Sequence, residues 1–378
     1  MFKKISETQI YRDPDFYSAF PAIANLGGGE LAVMFRRAPS YRGMPGLKPG
    51  WVTHLDHNSQ AMIVRSHDYG KTWDQPKLLY APPEGGSQDG GLFFDGKILF
   101  ANSFIWGKIP AEVAAALKES GQDEYIYTYG GFSTHVGSYV LRSMDRGREW
   151  EGPFYPDPLP GYPEAWPGRP LRMHNRANII RMPDGRLLYP GQALHYRPYR
   201  SSVVLYQSLD DGRSWQYLST PAPDRNAAVF EEPALILTST GRLVIVIRTH
   251  KSPSGEETKR ARLWRTESTD GGRTWSEPAD LGIHGEPPTL ARMEDGRNLL
   301  VYGYRCAPEG VRGRICNADL SDIPEAEEFI IRDDNGQPDC GYPWVAPLGD
   351  NKYLIVYYMN PPENLGSGGI YATLAEVR

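Results

Sequence analysis

Cysteine is scarce in this 378-residue chain. The three present, Cys306, Cys316 and Cys340, are odd in number and follow no metal-binding spacing, which argues against a disulfide framework and a zinc site and fits a reducing compartment. Long apolar runs are also missing. No stretch approaches a membrane span, and Met1-Phe-Lys-Lys-Ile-Ser-Glu7 lacks the hydrophobic segment of a secretory leader, so a cytoplasmic protein with no membrane partner is expected. There is no excess of positive charge: the net charge is −5 with both signs interspersed, which leaves no footprint for nucleic acid. The eight histidines show no H-x-x-x-H spacing, so neither a metal nor another cofactor is expected.

Turn-forming and aromatic residues are plentiful instead: Gly 40, Pro 33, Tyr 23 and Trp 9 suit many short strands joined by tight turns. One short pattern recurs. Ser66-His-Asp-Tyr-Gly-Lys-Thr-Trp73, Ser143-Met-Asp-Arg-Gly-Arg-Glu-Trp150, Ser208-Leu-Asp-Asp-Gly-Arg-Ser-Trp215 and Ser268-Thr-Asp-Gly-Gly-Arg-Thr-Trp275 read S-x-D-x-G-x-[ST]-W, with Glu149 the exception. Ser and Asp oxygens can accept turn N–H groups, Gly supplies a positive φ, and Trp packs across the turn, so each copy is a hairpin. A second repeat runs beside it: six times an apolar strand turns at Gly, Asp or Asn into another, around Gly28, Gly96, Gly185, Gly241, Gly296 and Asp350. The last four turns lie 56, 55 and 54 residues apart, about the length of a four-stranded blade. The expectation is therefore all-β: one six-bladed β-propeller domain over residues 1–378, each box linking the third and fourth strands of its blade. The alternating stretch Ile5 to Tyr11 would pair with the terminal Gly369 to Val377 and close the ring. Residues 109–120 look helical and read as a small insertion, and Arg37 to Asn58 reads as a long loop over one face.

The first strand of each propeller blade lines the central channel. About eight residues before each turn stand Phe20-Pro21, Ser87-Gln88-Asp89, Asn175-Arg176, Glu232-Pro233, Glu286-Pro287 and Tyr342-Pro343, a ring too polar to be a packing layer. The ends of the second strands add Arg36, Arg37, Arg248, His250 and Arg305. Several arginines near one tyrosine and one or two carboxylates describe a site for an anionic, hydroxyl-rich ligand. The plain alternative is packing, since a Tyr-Pro pair can simply begin a strand and Arg248 can simply pair with a box aspartate. Trp51, Trp106, Trp166 and Trp344 lie outside the boxes and would stack on a sugar or fill gaps between blades.

The boxes and this layout resemble the sialidase (neuraminidase) superfamily of bacterial type, with Asp-box or BNR repeats, over essentially the whole chain. The resemblance implies an exo-glycosidase acting on the terminal acidic sugar of a glycan or glycoside by a retaining mechanism. Asp339-Cys-Gly-Tyr-Pro343 is similar to the segment carrying the family's nucleophile, which assigns Tyr342. Phe230-Glu-Glu-Pro-Ala-Leu-Ile-Leu237 is similar to the strand carrying the glutamate that takes the nucleophile's proton, which assigns Glu232. Asp56 occupies the place of the acid/base aspartate, in the loop before the first box, flanked by His54 and His57. Val244-Ile-Val-Ile-Arg248 and Gly310-Val-Arg-Gly-Arg314 resemble segments supplying two carboxylate-binding arginines, Arg248 and Arg312, with Arg312 preferred over Arg305. The family opens its first blade with F/Y-R-I-P, whereas this chain has Ser18-Ala-Phe-Pro21, with Ala19 in place of the third arginine. Either Arg36, Arg37 or Arg176 supplies the missing charge, or the substrate is not an ordinary sialoside. Two other readings are a lyase or hydrolase acting on uronic-acid glycans and a non-catalytic glycan-binding propeller.

Overall fold

The computed structural model describes residues 1–47, 53–121, 126, 132–162, 164–166, 169–174, 176–196, 199–225, 229–251, 257–364 and 366–378. Trp51 and Asn175 lie outside them, as does part of the loop between Arg37 and Asn58. Antiparallel strands dominate, because β-branched and aromatic runs alternate with turns that glycine, aspartate and asparagine can enter. Three sheets have four strands. In chain order from the inside outward they are Phe16–Gly27, Glu30–Pro39, Gln60–Ser66 and Lys77–Tyr80; Pro288–Arg292, Asn298–Tyr304, Gly310–Cys316 and Glu328–Arg332; and Gly341–Gly349, Lys352–Met359, Gly369–Val377 and, returning from the other terminus, Phe2–Tyr11. A fourth sheet has five strands, with Gly85–Ser87 and Gly91–Phe94 both paired to Leu99–Lys108, followed by Ser133–Ser143 and Glu151–Phe154.

The expectation of six separate blades is corrected here. Four sheets are separate and blade-sized, and the strands from Ile180–Arg181 to Ala279–His284, read from the sequence as two blades, form one continuous eight-stranded sheet. The junction is a parallel pairing of Ser201 with Val229, reinforced by the Ser201 hydroxyl donating to the Phe230 carbonyl at 2.7 Å. Turn spacing counts hairpins but carries no information about where the last strand of one unit meets the first of the next. A two-stranded ribbon, Glu164–Trp166 with Arg169–Pro170, lies outside these sheets.

The innermost strands touch in sequence around the axis: Phe16–Gly27 meets Gly91–Phe94 and Gly341–Gly349, Val229–Leu237 meets Ile180–Arg181 and Pro288–Arg292, and Pro288–Arg292 meets Gly341–Gly349. Each box links the third and fourth strands of its unit by a shared hydrogen-bond pattern. In the first, Asp68 Oδ1 accepts the N–H groups of Lys71 and Thr72 at 3.0 and 2.9 Å and Oδ2 accepts the Thr72 hydroxyl at 2.7 Å, while Ser66 Oγ accepts the Gly70 N–H at 2.8 Å. Gly70 sits at φ +85°, which a side chain would rarely adopt. Glu149 has no hydroxyl to give Asp145, whose Oδ1 still accepts the N–H groups of Arg148 and Glu149 and the Ser143 hydroxyl. The expected helical excursion is the helix Ala111–Glu119, whose Ala114 and Leu117 pack with Ile109 and Ile126.

Candidate active site

The site arises where the innermost strands are interrupted at one level. Phe20, Glu232 and Tyr342 each precede a proline, and each has a left-handed backbone, with φ of 59°, 47° and 51°. Proline offers no N–H to a ladder, so pairing slips at each place: between Ala19 and Ala22, Glu231 and Ala234, and Gly341 and Trp344. Left-handed conformations cost non-glycine residues about 1–3 kcal/mol each and persist only where the surroundings enforce them. Here they turn three large side chains toward the same end of the channel. The fourth interruption has no proline: Gln88, Asp89 and Gly90 separate the two short strands that share Leu99–Lys108. The site also needs two strands to approach closely. A Cβ on Gly341 would stand 2.8 Å from the Gly303 Cα, so glycine is required beside Tyr342.

Tyr342, Glu232 and Arg248 form the centre. The Tyr342 hydroxyl donates a short hydrogen bond to Glu232 Oε1, Arg248 Nη1 donates to Glu232 Oε2 at 2.6 Å, and the same nitrogen lies 3.1 Å from the Tyr342 oxygen. Burial and the negative charge of Glu232 raise the Tyr342 phenol well above its ordinary range. Glu286 Oε2 joins two cations, lying 2.8 Å from Arg248 Nη2 and 3.3 Å from Arg305 Nη1. Burial pushes the Glu286 carboxyl up, but Arg248 and Arg305 outweigh it and hold the group below the usual carboxylate range. Arg305 also donates to the Tyr358 hydroxyl at 3.1 Å and the Cys340 carbonyl at 3.2 Å. Behind the tyrosine, the Arg176 guanidinium packs 4.7 Å from the Trp344 ring and bonds to Pro288 O, Thr289 Oγ1 and Pro343 O.

Tyr342, Glu232, Arg248 and Arg305 border a cavity of about 210 Å³. Its far wall is aromatic and polar: the His135 ring stacks 3.6 Å from His174 and 4.0 Å from Trp106, with Phe104 alongside. Burial lowers the His54 imidazole to about 4 and the His174 imidazole to about 3, so both are neutral at pH 7. Asp89 is 4 % exposed, and burial followed by repulsion from Glu232 raises its carboxyl to about 8, which keeps a proton on it at neutral pH. Among the described residues, no group of three or more His, Cys, Asp or Glu is placed to hold a metal ion. Beyond the interruptions, the innermost strands line a larger cavity of about 360 Å³, whose walls from Ile23 to Pro347 include no carboxylate.

Of the residues singled out from the sequence, the structure brings Tyr342, Glu232, Arg248 and Arg305 to this cavity, with Arg176 directly behind. Four others lie elsewhere. Arg36 is fully buried and donates to the Thr53 carbonyl at 2.8 Å, Arg37 packs over Phe16 and bonds to Gln60, and Arg312 donates to the carbonyls of Arg332 and Pro308, its guanidinium over Tyr304. The preference for Arg312 over Arg305 is thus reversed by the geometry. Asp56 does not line the cavity. Its Oδ2 accepts the Tyr41 hydroxyl at 2.7 Å and its Oδ1 the Asn58 N–H at 2.7 Å, an arrangement that shapes the loop. Asp89 is the aspartate at the cavity, and its position in the ring of strand-start residues was the one signal for it in the sequence. Sequence reasoning gave no role to Glu286, although it stands in the same ring, nor to His135 and His174.

Comparison with known proteins follows the fold. Residues 119–355, more than half of the chain, match the BNR repeat-like domain family. Among solved structures, a protein of unknown function from Dyadobacter fermentans DSM 18053 is 34% identical, with a TM-score of 0.88 over 100% of this chain and 99% of its own. The Hadza microbial sialidase Hz136 is 15% identical, with a TM-score of 0.64 over 96% of this chain and 66% of its own. The GH93 alpha-L-arabinofuranosidase of Fusarium graminearum, solved in complex with arabinobiose, is 14% identical, with a TM-score of 0.62 over 99% of this chain and 98% of its own. The last two likenesses are of fold alone. No curated protein matches the chain.

Proposed function

The chain belongs to the BNR repeat-like domain family, and from that premise we propose that it is a retaining exo-glycosidase of the sialidase superfamily whose active site is the 210 Å³ cavity at Tyr342. The observation that carries the reading is the three-way contact of Tyr342, Glu232 and Arg248. A phenol is a weak nucleophile at neutral pH and needs a base within hydrogen-bond reach. Glu232 is that base. It takes the phenol proton as the Tyr342 oxygen bonds to the anomeric carbon, and Arg248 stabilises the negative charge passing between them. Asp89, protonated at neutral pH, gives its proton to the departing glycosidic oxygen. In the second half-reaction Asp89, now a carboxylate, takes a proton from water as that water attacks the anomeric carbon. The sugar–tyrosine bond breaks and the phenol recovers its proton from Glu232.

The family resemblance gave the acid role to Asp56 and the acidic-sugar, exo-sialidase specificity to the arginines. Asp89 is the better acid because it lines the cavity and holds a proton, whereas both Asp56 oxygens accept hydrogen bonds from its own loop. Trapping with 2-fluoro glycosyl fluorides tests the nucleophile. A covalent adduct mapped to Tyr342 by peptide mass spectrometry is expected; an adduct on Glu232 overturns the assignment of roles. A product with the ultraviolet absorbance of an unsaturated uronate would make the protein a lyase. Sugar binding with no turnover across a broad panel would make it a binding propeller.

A further inference from the structure

Resting on the reading of this cavity as a sugar-cleaving site, we infer that the sugar it takes is neutral: a single ring recognised through its hydroxyls, without a carboxylate. The first ground is that both cations at the cavity are already committed. Glu286 Oε2 bridges Arg248 and Arg305 at 2.8 and 3.3 Å, Arg248 also holds Glu232 at 2.6 Å, and Arg305 spends two further N–H groups on Tyr358 and Cys340. Two guanidiniums thus face three carboxylates, Glu231, Glu232 and Glu286. His250 lies 3.0 Å from Glu231, and even when it is protonated the two signs only balance. Arg176 is tied to two carbonyls and a hydroxyl behind Tyr342. The first sheet adds no cation, because Phe20 fills its place in the ring, 4.6 Å from the Tyr342 ring, above the buried Arg36. A ligand carboxylate would enter against this charge, and among the described residues both guanidiniums that line the cavity are already paired with carboxylates.

The second ground is what the cavity leaves unsatisfied. Gln88 Oε1, Asp89 Oδ1 and His174 Nδ1 line it on side chains no more than 4 % exposed, and among the described residues they have no hydrogen-bond partner. Buried polar atoms of this kind require partners. A carboxylate only accepts hydrogen bonds and has nothing to offer the Gln88 oxygen, whereas a sugar hydroxyl both donates and accepts and can satisfy all three. The Trp106, His135 and His174 rings offer an uncharged face against which the C–H side of a ring can lie. The volume, about 210 Å³, is below the about 300–1,000 Å³ of pockets for drug-sized ligands and suits one ring.

The test separates substrate class from catalysis by measuring binding and turnover independently. Calorimetric binding of neutral sugars (arabinose, galactose, glucose, fucose and rhamnose) is run beside N-acetylneuraminic and glucuronic acids at pH 7, and aryl glycosides of the same sugars are assayed for release of the aryl group. At least one neutral sugar is expected to bind at least tenfold more tightly than either acid. Glu286→Gln, which frees one side of each arginine, is expected to tighten binding of the acids at least tenfold, with its thermal unfolding checked against the parent. Tighter binding of either acid by the unaltered protein, or no binding of any neutral sugar, overturns the inference. Neutral-sugar binding with no turnover of any aryl glycoside leaves the inference standing and removes the glycosidase reading instead.

Discussion

At the scale of single residues, the proposed mechanism makes demands on Tyr342, Glu232 and Asp89 that packing alone would not. Tyr342→Phe removes one oxygen, and Glu232→Gln replaces a base with an isosteric amide. Each is expected to lower kcat on the cleaved aryl glycoside by roughly 10²–10⁴-fold, while circular dichroism still reports a cooperatively folded protein; unfolding of both variants would return these residues to a structural role. Asp89 adds a pH signature. As the proton donor it works only while protonated, so activity should fall as pH rises through about 8, and Asp89→Asn should abolish most activity at every pH. Its raised carboxyl also acts on stability. The contribution is complete below the ordinary carboxylate pKa near 3.8 and declines as pH rises toward about 8. His54 and His174, lowered to about 4 and 3, act in the opposite direction: their contribution is complete above about 6.5 and lost as pH falls toward those values. Thermal unfolding across pH 4–9 should therefore show lower stability on both sides of a maximum near neutrality, and Asp89→Asn should flatten the alkaline side.

At the scale of elements, the hairpin boxes act through turn chemistry and a tryptophan that is half-buried in three copies and fully buried in the third. Trp215 is fully buried, with its indole N–H on the Gly212 carbonyl at 3.1 Å. Trp215→Ala should cost about 3–5 kcal/mol in chemical denaturation while leaving kcat per folded molecule unchanged, since the box lies at the junction of outer strands. These boxes were readable in the sequence because the turn bonds accepted by their Ser and Asp oxygens span at most four residues. The interruptions that build the site were half readable. The X-Pro pairs at Phe20, Glu232 and Tyr342 were visible, but the left-handed backbone that turns those side chains inward depends on the neighbouring strands. Asp89 lacks the proline signal and passed without a role. The arginines failed for another reason. Arg312 sits within the regular strand Gly310–Cys316, paired with Tyr302, and points to Tyr304 and backbone carbonyls, whereas Arg305 follows the end of Asn298–Tyr304 and turns into the channel. Resemblance of short segments cannot distinguish those two directions. Gly341→Ala tests the backbone argument: with its Cβ 2.8 Å from the Gly303 Cα, the substituted strand must shift, and kcat should fall even where the sheet remains folded.

At the scale of the whole molecule, strand pairing across the termini matters more than core burial there. The strand Phe2–Tyr11 pairs with Gly369–Val377 from Phe2 opposite Val377 to Tyr11 opposite Ile370, and Phe2 stacks on Phe329 at 4.4 Å. Only Ile10 within it is buried, so its removal deletes little of the apolar core. The consequence lies in the edge. Without residues 1–11, Gly369–Val377 would present an unpaired row of N–H and C=O groups, a template for pairing with another chain. This strand is also outermost in its sheet, three strands from Gly341–Gly349 and hence from Tyr342. Deletion of residues 1–11 should therefore cause concentration-dependent association, seen by light scattering, before it lowers activity per folded molecule. A deletion variant that stays monomeric would show that the edge is protected in another way. One that loses activity while still a folded monomer would show that the terminal strand reaches the site through the sheet.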